Sequence, residues 1–140
     1  MSRVFVDTTA WYALAAPDDA SHDRAVRLLG EHEGRLVTSD HVLVETWALV
    51  RSRRHRSAAD QLIAAILDHS IAEAITATAQ DMSTALRIGR TFADQDFSLV
   101  DRTSWAVMER CGIVTAVAFD VDFSVYRYGP GRRQAFTVHR

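Results

Sequence analysis

The sequence predicts an α/β fold in three layers, with helices covering both faces of a central parallel sheet of four or five strands. Three observations predict it. Short apolar runs at residues 4–6, 36–38, 71–76 and 113–119 alternate with longer segments whose apolar residues recur at helical spacing. Such alternation requires crossover connections, which make a sheet parallel and cover both its faces. The chain has 140 residues, 48% of them hydrophobic, enough for one core. No linker, repeat or low-complexity stretch divides it, so residues 1–140 read as a single domain.

The elements follow in order. Residues 3–7 read as a buried strand. Thr8 or Thr9 caps a helix that runs to Ala16 and is stopped by Pro17. Pro17-Asp18-Asp19 is a turn. Residues 20–33 form a second helix with Ala25, Val26, Leu28 and Leu29 inward and Gly34 beyond its end. Residues 36–38 are a strand, and Ser39 or Asp40 caps a helix reaching Arg53. Ser57 caps a helix over 57–69, with Ala59, Leu62, Ile63, Ile66 and Leu67 on one face. Residues 71–76 are strand-like. Residues 80–92 place Met82, Ala85, Leu86, Gly89 and Phe92 together on a helix, and a polar loop follows at 93–96. Ser98 begins a helix ending near Cys111-Gly112, and residues 113–119 form a strand. Residues 122–128 are short and mixed. Gly129-Pro130-Gly131 turns the chain toward an edge strand at 135–138.

Composition excludes several classes. No stretch approaches the roughly 18 consecutive apolar residues of a membrane helix. Met1-Ser2-Arg3-Val4 enters a strand without a signal peptide, so a cytoplasmic location is expected. The single cysteine, Cys111, excludes an internal disulfide and a cysteine-based metal site. The six histidines show no metal-type pairing. Neither a nucleophile-elbow motif nor a glycine-rich phosphate loop is present.

Four acids carry the chemistry. Asp7 ends the run Val4-Phe5-Val6, and Asp120 ends a run closing in Ala118-Phe119. Glu45 lies within His41–Val50, an otherwise largely apolar stretch. Asp101 follows Phe97-Ser98-Leu99-Val100. In a parallel sheet, sites form beyond the carboxyl ends of the strands. Asp7 and Asp120 occupy that position, and Glu45 and Asp101 fall in the first turns of helices starting at the same edge. Burying a carboxylate is costly unless something pairs with it, and a hard divalent cation prefers oxygen ligands. Taken singly, each acid has a blander role as a helix cap, a dipole partner or a turn residue. Glu45 fits those roles least.

The segments 4–11 (Val-Phe-Val-Asp-Thr-Thr-Ala-Trp), 39–46, 97–108 and 118–123 resemble, in order and spacing, the four acidic segments of PIN-domain ribonucleases. Length and pattern are similar to VapC-type toxins, the nuclease half of bacterial toxin–antitoxin pairs. The resemblance implies a PIN-like fold and an endoribonuclease dependent on Mg²⁺ or Mn²⁺. It implies metal-activated water attacking a phosphodiester of structured RNA, tRNA or rRNA, and so inhibiting translation. Asp7 and Asp101 are expected as the closest ligands, with Glu45 and Asp120 acting directly or through water. Asp122 ranks below Asp120, and Asp96 reads as a solvated loop residue. Thr8 and Ser98 either cap helices or orient a metal-bound water. A homodimer is expected, as is a VapB-type antitoxin that covers the cleft and contacts Trp11-Tyr12-Ala13-Leu14.

The charge pattern offers RNA contacts. All 16 basic residues are arginine, and the formal net charge is -2. Absence of lysine is explained more simply by genomic base composition than by phosphate recognition. Arg51, Arg53 and Arg54 lie in the densest basic run and either contact an RNA backbone or solvate a helix end. Arg132, Arg133 and Arg140 form a weaker region. Arg102, beside Asp101, is the arginine expected nearest the scissile phosphate. His41 reads as a cap or solvent-facing residue, and Trp11, Trp47 and Trp105 as core or dimer packing. Rival readings are a non-catalytic RNA- or protein-binding module, a housekeeping RNA-processing nuclease, and a small-molecule phosphatase.

Overall fold

A computed structural model describes residues 2–68 and 71–140. Residue 69, where the 57–69 helix was expected to end, and hence His69, lie outside the described residues. Five strands form one sheet: β1 (Val4–Val6), β2 (Leu36–Ser39), β3 (Glu73–Ile75), β4 (Thr115–Val117) and β5 (Thr137–His139). Their order is β3-β2-β1-β4-β5, and every pairing is parallel. β1 is central. Val4 pairs with Leu36 on one side and Thr115 on the other. β1 and β2 are buried along their whole length, as expected of strands covered on both faces.

The helices are α1 (Thr8–Ala15), α2 (His22–Glu31), α3 (Asp40–Arg53), α4 (Arg56–Leu67), α5 (Ala79–Thr91), α6 (Leu99–Cys111) and α7 (Asp122–Val125). α1 packs on α2 and α3, α3 on α4 and α6, and α5 on α6. Trp11, fully buried on α1, donates from Nε1 to Thr38 Oγ1 at 3.1 Å, and Thr38 donates to Val6 O at 2.9 Å. This chain of bonds satisfies the indole and fixes α1 over β1 and β2. On α6, Trp105 stacks on Tyr126 with ring centroids 4.3 Å apart and planes 5° apart. Phe97 and Phe123 meet the Trp105 indole edge-on.

Several expectations need correction. Asp7, not Thr8 or Thr9, caps α1, and His55 Nδ1, not Ser57, caps α4 by accepting from the Ala58 N–H. α5 starts with a capping box between Thr78 and Asp81 that the sequence reading passed over. Residues 122–125 are helical rather than mixed. The strands at 71–76 and 113–119 shrink to three residues each, and the last strand lies at 137–139. Val26, Leu67 and Leu86, expected inward, are exposed.

Candidate active site

Asp7, Glu45, Asp101 and Asp120 all line one cleft of about 350 Å³, together with Thr8, Thr9, Leu49 and Ser98. The topology produces this. β1 and β4 are neighbours and run the same way, so the chain leaves both at one sheet edge, with Asp7 directly after Val6 and Asp120 after Ala118-Phe119. The Asp7 N–H donates to Val117 O at 3.1 Å, which locks the first acid to the strand preceding the fourth. Asp101 is the third residue of α6, whose cap Ser98 accepts the Asp101 N–H at 3.1 Å. Glu45 sits in the second turn of α3, one turn later than expected.

Asp7 is the most constrained member. The Thr9 N–H and hydroxyl donate to its Oδ2 at 3.3 and 2.8 Å. The same hydroxyl accepts from the Phe119 N–H at 2.9 Å. Thr9 therefore ties the end of β1 to the segment carrying Asp120. Asp7 Oδ1 is buried and has no hydrogen-bond partner, and neither has the buried hydroxyl of Thr8 beside it. An orphaned buried carboxylate oxygen is costly unless a cation faces it.

The electrostatics agree. Burial pushes the Asp7 carboxyl up to about 6 against the hydrogen bonds from Thr9 and the Thr8 N–H, and Glu45 adds repulsion. Burial pushes Asp101 up to about 8, with further repulsion from Asp7, Asp120, Glu45 and Asp122. Carboxyls raised first by burial and then by their neighbours' repulsion carry a charge cost that a bound cation would offset. Asp101, Asp120 and Asp122 each offer an oxygen within 4.8 Å of the others'. An all-oxygen donor set of this kind suits Mg²⁺ or Mn²⁺.

Asp122 thus stands closer to the cluster than its rank in the sequence suggests. α7 begins there, and the turn lets the Asp122 N–H donate to Asp120 Oδ1 at 2.9 Å. Burial raises the Asp122 carboxyl, with Asp120 and then Asp96 adding repulsion. Asp96 itself is exposed.

Arg102 does not face the cleft acids. It donates to the carbonyls of Phe97 and Ser98 from Nε and to Ala85 O from Nη1, bridging α6 to α5. Its guanidinium lies where a Cβ on Gly89 would stand, so Gly89 is what lets it approach. Arg54 pairs with Asp18 at 2.6 Å. Arg51 lies over the Trp47 ring, 5.9 Å from its centroid. Arg53 lies over Tyr12, 5.1 Å from its centroid, in a separate furrow beside the cleft. His41 does not cap α3; half-buried, it meets Thr103 Oγ1 at 3.3 Å across the α3–α6 contact. The sequence reading missed Thr9 as the tie on Asp7. The signal was a hydroxyl two residues after a strand-end acid.

Known proteins place this arrangement. The model of the PIN domain family matches residues 4–127. The 23S rRNA-specific endonuclease VapC20 of Mycobacterium tuberculosis is 38% identical over 136 residues, spanning 86% of this chain and 92% of that protein. Its crystal structure, described as a sarcin-ricin loop cleaving toxin, superposes with a TM-score of 0.82 over 87% of this chain and 93% of its own. The DNA-bound VapBC of Salmonella typhimurium shares the fold, with a TM-score of 0.67 at 15% identity over 99% and 98% of the two chains. The chain belongs to the PIN-domain family and, within it, to the VapC-type endonucleases.

Proposed function

We propose that this protein is the toxin of a VapBC-type pair, a Mg²⁺- or Mn²⁺-dependent endoribonuclease that cuts ribosomal RNA of the large subunit and so stops translation in the cytoplasm. The observation that carries the reading is the buried, unpartnered Oδ1 of Asp7 in a cleft shared with Glu45, Asp101 and Asp120. The choice of rRNA over tRNA is supported by the 38% identical relative, which is named for 23S rRNA. No helix among the described residues is long and apolar enough to cross a membrane.

Asp7 and Asp101 are the expected closest ligands, and Asp120, Asp122 and Glu45 complete the shell directly or through water. A bound cation would neutralise the scissile phosphate and lower the pKa of a water held beside it. The chain's own part is positioning. Thr9 fixes one oxygen of Asp7 and leaves the other for the ligand. Ser98 orients the first turn of α6 and with it Asp101. The free Thr8 hydroxyl is placed to hold a water at the wall of the cleft. A VapB-type antitoxin inhibits by covering the cleft, and an arginine inserted among the carboxylates would substitute for the cation. A homodimer is part of the proposal.

The test is purified protein incubated with bacterial ribosomes and Mn²⁺, with RNA 5′ ends mapped. Wild type is expected to give one dominant cut in large-subunit rRNA. Asp101→Asn is expected to cut about 100- to 1000-fold more slowly, the scale of lost electrostatic stabilisation at such sites. Full activity in Asp101→Asn, or cutting that persists in chelator, would sink the reading.

A further inference from the structure

Beside the carboxylate cleft lies a second furrow, of about 230 Å³, and the two share Thr9 and Leu49 as a common wall. Its character is opposite to that of the cleft. Phe119, one residue before Asp120, and Tyr12 on α1 present half-buried rings to it. Arg24, from α2, lies over the Phe119 ring, with its guanidinium carbon 4.7 Å from the centroid. Arg53, from the last turn of α3, lies over Tyr12 at 5.1 Å. Arg24 also donates to Ser21 Oγ at 3.1 Å. Among the described residues neither arginine is in a salt bridge, whereas Arg54 nearby is paired with Asp18. The acid in the furrow wall, Asp19, accepts the Ser21 N–H through its Oδ2 at 2.9 Å.

We propose that this furrow is a subsite for the nucleotide flanking the scissile phosphate, with Arg24 and Arg53 as the residues that recognise and stack on it and Tyr12 and Phe119 as the rings that hold those two guanidinium groups in place. The inference rests on the nuclease reading given above. A guanidinium held over a ring can keep edge N–H groups free for phosphate and its outer face free for a base. Unpaired bases bind in this way, on aromatic rings and arginine planes. The site also answers an electrostatic need. A cleft of carboxylates repels the polyanion on either side of the cut, and two unpaired arginines at its mouth offset that repulsion. Both guanidinium groups are held by rings before RNA arrives, so less side-chain freedom is lost on binding.

The experiment compares wild type, the Arg24→Gln/Arg53→Gln double variant and the Arg24→Lys/Arg53→Lys double variant. Each is assayed on large-subunit rRNA with Mn²⁺, and Mn²⁺ affinity is measured separately without RNA. The Gln pair is expected to raise KM at least 10-fold, to leave Mn²⁺ affinity within 2-fold of wild type, and to flatten the salt dependence of RNA binding by about 1.4, the slope for two single-strand phosphate contacts. The Lys pair is expected to keep the salt slope but not the wild-type KM, because charge survives and the planar face does not. Unchanged KM and slope in the Gln pair, with wild type active, would overturn the subsite alone. Inactive wild type with no RNA binding would overturn the nuclease reading and the subsite with it. Lost Mn²⁺ affinity in the Gln pair would show damage to the cleft and would also count against the assignment.

Discussion

Thr9 shows how much one hydroxyl can organise. It donates to Asp7 Oδ2 and accepts from the Phe119 N–H, joining positions 110 residues apart. Thr9→Val keeps the shape and removes both bonds. It is expected to destabilise the fold by about 1–3 kcal/mol, since it leaves a buried N–H and a carboxylate oxygen short of partners. Cleavage should fall at least 10-fold, and Thr9→Ser should restore most of it. A Val variant with wild-type cleavage would show that Asp7 needs no such tether. The residue scale also shows what the sequence could reveal. Asp7 and Asp120 were legible because an acid that ends an apolar run marks a strand's carboxyl edge. The full role of Thr9 was not, because only its bond to Asp7 is local and its bond to the Phe119 N–H is tertiary. Arg102 misled because adjacent helix residues point about 100° apart. With Asp101 turned into the cleft, Arg102 faces α5.

At the scale of elements, the α5–α6 contact depends on an absent side chain. Gly89 within α5 costs the helix about 0.5–1 kcal/mol relative to alanine, and in return the Arg102 guanidinium reaches the Ala85 carbonyl. Gly89→Ala would displace that guanidinium, and hydrogen bonds from a charged donor are worth about 1.5–3 kcal/mol each. The loss outweighs the helix gain, so Gly89→Ala is expected to destabilise by about 1 kcal/mol. In an Arg102→Ala background the same change should stabilise. Chemical denaturation of the four proteins of this cycle reads the sign directly, and stabilisation in both backgrounds would contradict the role given to Arg102. Strand lengths were over-read for a related reason. Apolar residues such as Ile113, before β4, and Ala118, after it, lie in the core outside the strand, so hydropathy marks burial rather than the limits of the ladder.

For the molecule as a whole, the crowded carboxyls couple stability to pH. Asp7 and Asp101 have native values of about 6 and 8, both above the ordinary 3.8. Between pH 4 and 8 the native state therefore binds more protons than the unfolded chain, and stability contributed by these groups is lost as pH rises. In chelator, the melting temperature is expected to fall from pH 5 to pH 8, and Asp101→Asn should weaken that fall. On the proposed metal site, saturating Mn²⁺ should raise the melting temperature most at pH 8, where the carboxyls no longer need to shed protons. A metal-free protein that is more stable at pH 8 than at pH 5 would contradict the assignment of these two groups.

The central place of β1 also sets when the cleft exists during synthesis. Val4 finds one of its partners only at Thr115, and Asp7 is locked by Val117. A nascent chain that has exposed Asp7, Glu45 and Asp101 still lacks the strand that gathers them. Pairings of such long sequence separation form late and slowly. Synthesis must therefore reach β4 before any cutting edge can form, and under the proposed toxin reading an antitoxin would have that interval in which to arrive.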